Sequence, residues 1–130
     1  HVSVGQVVAI EAIGLMKKMP VEAVMRMAFM GKYERMDAER ARELGMVSEI
    51  VDPPERLRER AQELGETIAK NSPAAMAATK KALWGALEHG LTDACKAGAQ
   101  HLVSMWGHPD QNEGPMAFAE KRDPNWKPLS

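Results

Sequence analysis

Apolar residues in this chain recur mainly at three- and four-residue spacing, punctuated by glycine and proline, so the pattern predicts helices almost throughout. Residues 7–18 are apolar with Gly14 inside them, which makes a weaker helix because glycine loses more backbone freedom there. Residues 20–30 follow, with Pro20 suited to a first turn, Val21, Val24, Met25, Ala28 and Phe29 on one side, and Gly31 at the end. Asp37 can accept from the amides of the next turn, predicting a short helix over 38–44 that stops at Gly45. Residues 46–51 are β-rich and closed by Pro53-Pro54, and are predicted as the one strand.

Residues 55–70 set Leu57, Ala61, Leu64 and Ile68 against Arg58, Arg60, Glu63, Glu66 and Lys70, one face apolar and the other wet. Asn71-Ser72-Pro73 breaks that run and starts a helix over 74–88, ended near Gly90. The most regular stretch comes next, a stripe of Leu91, Ala94, Cys95, Gly98, Ala99, Leu102, Val103 and Trp106. Its small members, Ala94, Gly98 and Ala99, would let a neighbouring backbone approach closely. Asp110 and Glu113 have the spacing of a capping pair before a terminal helix, in which Pro115 suits the first turn and Asp123-Pro124 ends the run. The fold class is therefore mainly α with one short strand. Faces such as Val21/Met25/Phe29 and Leu91/Cys95/Leu102 must bury against something.

Charge and composition narrow the partners. Seventeen Lys and Arg against eighteen Asp and Glu leave no cationic excess to neutralise a nucleic-acid backbone. No apolar run approaches the ~18 residues of a membrane span, and the start lacks a signal-peptide layout, so no membrane partner is expected. The single Cys95 permits no internal disulfide, which fits a reducing cytosol and a cytoplasmic location. Cys95 sits on the apolar stripe as a packed thiol, and with His89, His101 and His108 it has no zinc-like spacing, so no metal is expected. Met16, Met19, Met25, Met27 and Met30 read as core filler, and Lys80-Lys81 as a wet face. No Walker, Rossmann or glycine-rich phosphate loop is present.

Three segments carry a family likeness. The run Glu113-Gly114-Pro115-Met116-Ala117-Phe118-Ala119-Glu120-Lys121-Arg122-Asp123-Pro124-Asn125-Trp126 resembles the C-terminus of the crotonases, the enoyl-CoA hydratases and isomerases, as E-G-x-x-A-F-x-E-K-R-x-P-x-W. Asp37-Ala38-Glu39-Arg40-Ala41 through Leu44-Gly45-Met46-Val47-Ser48-Glu49-Ile50-Val51 is similar to the family's A-x-E-A-x-x-x-G-L-V-x-x-V-V segment. Residues 68–82 resemble its helix end, Ser-Pro step and Lys-bearing helix, and the three keep the family's order. The resemblance covers only a crotonase's C-terminal half, and the chain opens at His1 without an initiator Met. It is expected to be a processed product, a fragment or a partial record of a longer chain.

The resemblance implies the helical C-terminal part of a ββα-spiral (α/β) fold, with 1–52 ending the core spiral and 53–130 forming a helical oligomerisation region. It implies as partners an acyl-CoA substrate, the missing N-terminal half, and a homotrimer or dimer of trimers. The implied chemistry is acid–base catalysis on an enolate, with hydration of a 2-enoyl thioester as the default and isomerisation or thioester hydrolysis as neighbours. Coenzyme A enters as part of the substrate, with no prosthetic group. The first half of a crotonase supplies the N–H groups that hold the thioester oxygen, so residues 1–130 alone would be inactive.

Phe118 and Lys121 match family positions that contact coenzyme A, where an ammonium suits phosphate and a ring can cover adenine. His1-Val2-Ser3-Val4-Gly5 is similar to the family's E-x-G-x-G or E-x-x-x-G stretch, whose leading carboxylate commonly works as acid or base. His1 stands in that place and exchanges protons near neutral pH. The family's P-G-x-G-G turn is replaced by Gln6-Val7-Val8-Ala9-Ile10-Glu11-Ala12, which makes Glu11 an alternative carboxyl. An apolar setting would let such a group keep and pass a proton. The competing class is a non-catalytic helical oligomerisation or binding module.

Overall fold

A computed structural model describes residues 1–128, which contain seven α-helices, three single 3-10 turns and no β-strand among the described residues. They divide into two compact units, one of residues His1–Leu57 and the other from Arg58 onward.

In the first unit, a 3-10 turn over Val2–Val4 precedes α1 (Ile10–Leu15), α2 (Val21–Met30), a turn over Gly31–Tyr33, α3 (Ala38–Glu43) and a turn over Pro54–Arg56. Pro20 leads into α2 as its composition predicts, its carbonyl accepting from Ala23 and Val24. Met19 and Val24 are the buried apolar side chains of this unit. Gly31 closes α2 at φ 53, where a Cβ would collide with Ser3 Oγ. That hydroxyl accepts from the amide of Lys32 (3.1 Å), so the glycine lets the first turn of the chain dock on the end of α2. Arg26 and Glu34 pair across the same bend, Nε lying 3.0 and 2.9 Å from the two carboxylate oxygens.

The cap expected at Asp37 is present, with Oδ1 accepting from the amide of Arg40 at 2.8 Å. The end of α3 explains why 46–51 is not a strand. Gly45 adopts φ 77, its amide reaches Arg42 O, and the amides of Met46 and Val47 both turn back to Ala41 O at 2.8 and 3.4 Å. This Schellman closure uses the donors a ladder would need, and no second strand is there to pair with.

The second unit contains α4 (Leu57–Ala69, whose first residue closes the first unit), α5 (Pro73–Ala86), α6 (Leu91–Val103) and α7 (Asp110–Glu120). Ser72 caps α5 by accepting from Ala75 N at 3.1 Å. α5 and α6 form a helical hairpin, the one closely packed pair of helices in this unit among the described residues. α6 turns Ala94, Ala97, Gly98 and His101 partly inward, while Leu91, Cys95 and Leu102 stay exposed, and in the turn after it Met105 is half-buried and Trp106 exposed.

Several sequence expectations therefore change. Nothing lies within 4 Å of a Cβ built on Gly98, so no neighbouring backbone approaches closely at that position. Cys95 is an exposed thiol rather than a packed one. Of the five methionines read as core filler, Met19 alone is buried, and Met16, Met25 and Met30 are open. Much of the apolar surface of α2, α4 and α6, including Met25, Phe29, Ile68 and Leu102, has no cover within its own unit.

Candidate functional site

α7 starts earlier than its proline suggests. It begins at Asp110, so Pro115 lies inside the helix and has no N–H to give to the carbonyl four residues back. Asp110 and Glu113 make no cap at all, because both carboxylates are engaged by the chain beyond the helix. Glu113 accepts from Arg122 Nη1 and Nη2 (2.6 and 3.1 Å) and from the amide of Asn125 (2.6 Å). Asp110 is buried and accepts from Ser72 Oγ, a residue 38 positions earlier, and from Lys127 N at 3.0 Å. The Trp126 indole N–H donates to Lys70 O at 2.7 Å, and its ring lies so close that a Cβ on Gly114 would stand 3.2 Å from it.

These bonds fix the electrostatics. The Arg122 guanidinium, helped by the Asn125 amide, holds the Glu113 carboxyl down at about 2. Arg122 is raised in turn, chiefly by Glu113 and then by Glu120. The Ser72 hydroxyl, with the Lys127 amide, lowers Asp110 in spite of its burial. His108 Nδ1 accepts from the amide of Asp110 at 3.2 Å, which leaves its ring proton to Nε2.

The anchored tail leaves the end of α7 as a presented surface. Phe118 is 87% exposed, and Lys121 follows at the point where the helix closes. Lys121 has φ 54 and ψ 41, with its amide on Phe118 O and the Arg122 amide on Ala117 O, a Schellman closure made on lysine instead of glycine. Beside it, Arg122 Nε lies 2.6 Å from Glu120 Oε2. The same unit carries an apolar groove of about 490 Å³ between α5 and α6, with Ala78, Gly98 and Leu102 in its walls and Trp126 at its rim.

In the first unit the other two candidates come together. His1 Nε2 lies 3.3 Å from Glu11 Oε1, with the side chains 46% and 61% exposed. The pair is in reach for proton exchange, but nothing in its own unit desolvates it. Among the described residues no group of three or more His, Cys, Asp or Glu could hold a metal ion. No helix is long and apolar enough to cross a membrane.

Sequence reading missed Ser72, Lys70 and Trp126 as partners of the terminal motif. Trp126 closes the motif, and nothing local marks its bond to a carbonyl 56 residues earlier. The Glu113–Arg122 pair had a signal: a carboxylate and a guanidinium on either side of a helix end that reverses the chain.

This arrangement is the helical C-terminal part of the crotonase fold. A crystal structure of an enoyl-CoA hydratase/isomerase from Mycobacterium paratuberculosis matches it with a TM-score of 0.94 at 41% identity, covering 98% of this chain and 50% of that one. An enoyl-CoA hydratase from Mycobacterium marinum matches at 0.87 and 32%, covering 96% and 49%. A carnitinyl-CoA dehydratase from Salmonella arizonae is 36% identical over 117 residues, 87% of this chain and 44% of the relative. The family model for enoyl-CoA hydratase/isomerase matches residues 3–128, and the chain belongs to that family. It spans about half the length of these relatives and corresponds to their C-terminal half.

Proposed function

We propose that the full-length protein binds an acyl-CoA thioester and carries out hydratase- or isomerase-type chemistry through an enolate, with Phe118 and Lys121 contacting the coenzyme A moiety. The observation that carries the reading is the end of α7, an exposed aromatic ring with an ammonium one helical turn on, held out by an anchored tail. A ring with no partner in its own unit is suited to lie against adenine, and an ammonium, itself favoured at a helix C-terminus, is a point-charge partner for phosphate.

His1 and Glu11 are the proposed acid–base groups. Their 3.3 Å separation supports proton exchange between them, and a closed thioester pocket would supply the desolvation their own unit lacks. Donors for the thioester oxygen come from outside residues 1–130 in this reading. The open apolar faces of α2, α4 and α6 support burial against the rest of the chain and against further copies, as a trimer or dimer of trimers. The carnitinyl-CoA dehydratase relatives make the hydration and dehydration of acyl-CoA thioesters the reaction to assay first. A reducing, cytoplasmic setting agrees with an exposed lone thiol at Cys95.

The test is calorimetric titration of the full-length protein with coenzyme A. Lys121→Ala is expected to weaken binding several-fold, on the order of 1 kcal/mol for one exposed ionic contact. Unchanged affinity would remove Lys121 from the coenzyme A site.

A further inference from the structure

We infer that Glu113 is a positioning residue, whose grip on Arg122 and Asn125 fixes the direction in which Lys121 leaves α7 and so sets affinity for the nucleotide end of coenzyme A. The inference rests on the reading of Lys121 as a coenzyme A contact.

Lys121 is the one non-glycine with positive φ among the described residues. A side chain with a Cβ is disfavoured there, and such closures usually fall to glycine. Its neighbours on both sides supply the restraint. Arg122 binds Glu113 through both Nη atoms, Glu120 through Nε and the carbonyl of Asp123 through Nη1 (3.1 Å). One guanidinium thus joins residues 120, 122 and 123 to a carboxylate on the first turns of α7. Glu113 also receives the Asn125 amide, so both arms of the reversal end on it. Lys121 itself makes no side-chain hydrogen bond or ion pair among the described residues. Arg122 has four of its five donors committed while Lys121 keeps all of its own, so the clamp holds one cation inward and leaves the other to a ligand.

A residue that acts only through Lys121 must lose its effect when Lys121 is gone, and this separates positioning from general support. In the full-length protein, Glu113→Gln is expected to raise the Kd for coenzyme A about threefold, within the several-fold effect of an exposed ionic contact. Pantetheine, which lacks the nucleotide, should bind as before. The double variant Glu113→Gln/Lys121→Ala should bind coenzyme A no more weakly than Lys121→Ala alone. Arg122→Lys, which keeps a cation but loses the fork, should behave as Glu113→Gln does and serves if that variant is poorly folded. Additive losses in the double variant, or equal loss for pantetheine, would overturn the positioning role while leaving Lys121 in place. An inert Lys121→Ala would overturn both readings together.

Discussion

The two units present their candidate groups in opposite ways. In the first, His1 and Glu11 are ten residues apart, and the ties of the unit are mostly local, a cap at Asp37, a glycine closure at Gly45 and an ion pair between Arg26 and Glu34, with the 29-residue bond from Lys32 N to Ser3 Oγ as the exception. In the second, Phe118 and Lys121 stand before a tail whose bonds reach back 12, 17 and 56 residues. Local ties form as soon as the chain turns, whereas the tail can be placed only after α4, α5 and α7 are. The difference suggests a division of labour, with protons handled by one region and ligand held by the other.

The sharpest way to break that division is kinetic. Glu11→Gln or His1→Asn should lower kcat by about a hundredfold or more, the ordinary share of a general acid or base, with affinity for coenzyme A intact. Either variant keeping full kcat would strike that residue from the proton-transfer role. Lys121→Ala should do the reverse and leave kcat near its starting value.

Stability separates the regions next. Val24, 2% exposed, anchors the first unit, and Val24→Ala should cost about 2 kcal/mol in urea melts of the full-length protein. Ser72→Ala removes both the cap of α5 and the donor to Asp110, and should cost about 1–2 kcal/mol. Hydrogen exchange should accelerate in α2 for the first variant and in α7 for the second. Acceleration of both by either one would show a single cooperative block.

Acid should loosen the tail through its two depressed carboxylates. Glu113 titrates at about 2 in the folded chain against an ordinary 4.5, and Asp110 is likewise lowered. Depressed carboxylates stabilise the fold fully above the unfolded value, and that contribution is lost as pH falls from about 4.5 toward 2. Trp126 fluorescence, read in a Trp84→Phe/Trp106→Phe background, should shift across that window. A signal flat to pH 2 would mean that the carboxylates do not hold the tail.

The smallest expected effect is at Gly98. Its Cβ position is open, so Gly98→Leu should leave the melting of residues 1–130 unchanged or raise it slightly, since leucine favours helix by up to ~1 kcal/mol. A fall in the full-length assembly alone would locate a covering partner on α6.

What could be read from sequence follows the same line between local and distant. Pro20, Gly31, Asp37 and Gly45 each state their role within four residues, and α2 and α3 were legible with their ends. The strand over 46–51 was misread because β-propensity says nothing about whether a second strand exists, and the Gly45 closure had already claimed Met46 and Val47. The candidate site was legible as a motif, which named Phe118 and Lys121. It was not legible as a structure. The exposure of Phe118 follows from what fails to cover it, and the left-handed Lys121 from a clamp whose partners are scattered between 113 and 125. The exposed stripe on α6 has the same cause, since amphipathic spacing shows which residues share a face without showing what meets it.

The contact between Gly114 and Trp126 has a consequence for how this chain can evolve. A methyl group at 114 would press on the indole at 3.2 Å, and the indole is fixed by its bond to Lys70. Neither position is free to drift alone. Gly114→Ala should be tolerated most readily where residue 126 has first been reduced, and a smaller ring there gives up the N–H that reaches the Lys70 carbonyl just past α4. The two sites should therefore be inherited as a pair, and a hybrid gene joined between them from two divergent parents should fail more often than one joined on either side.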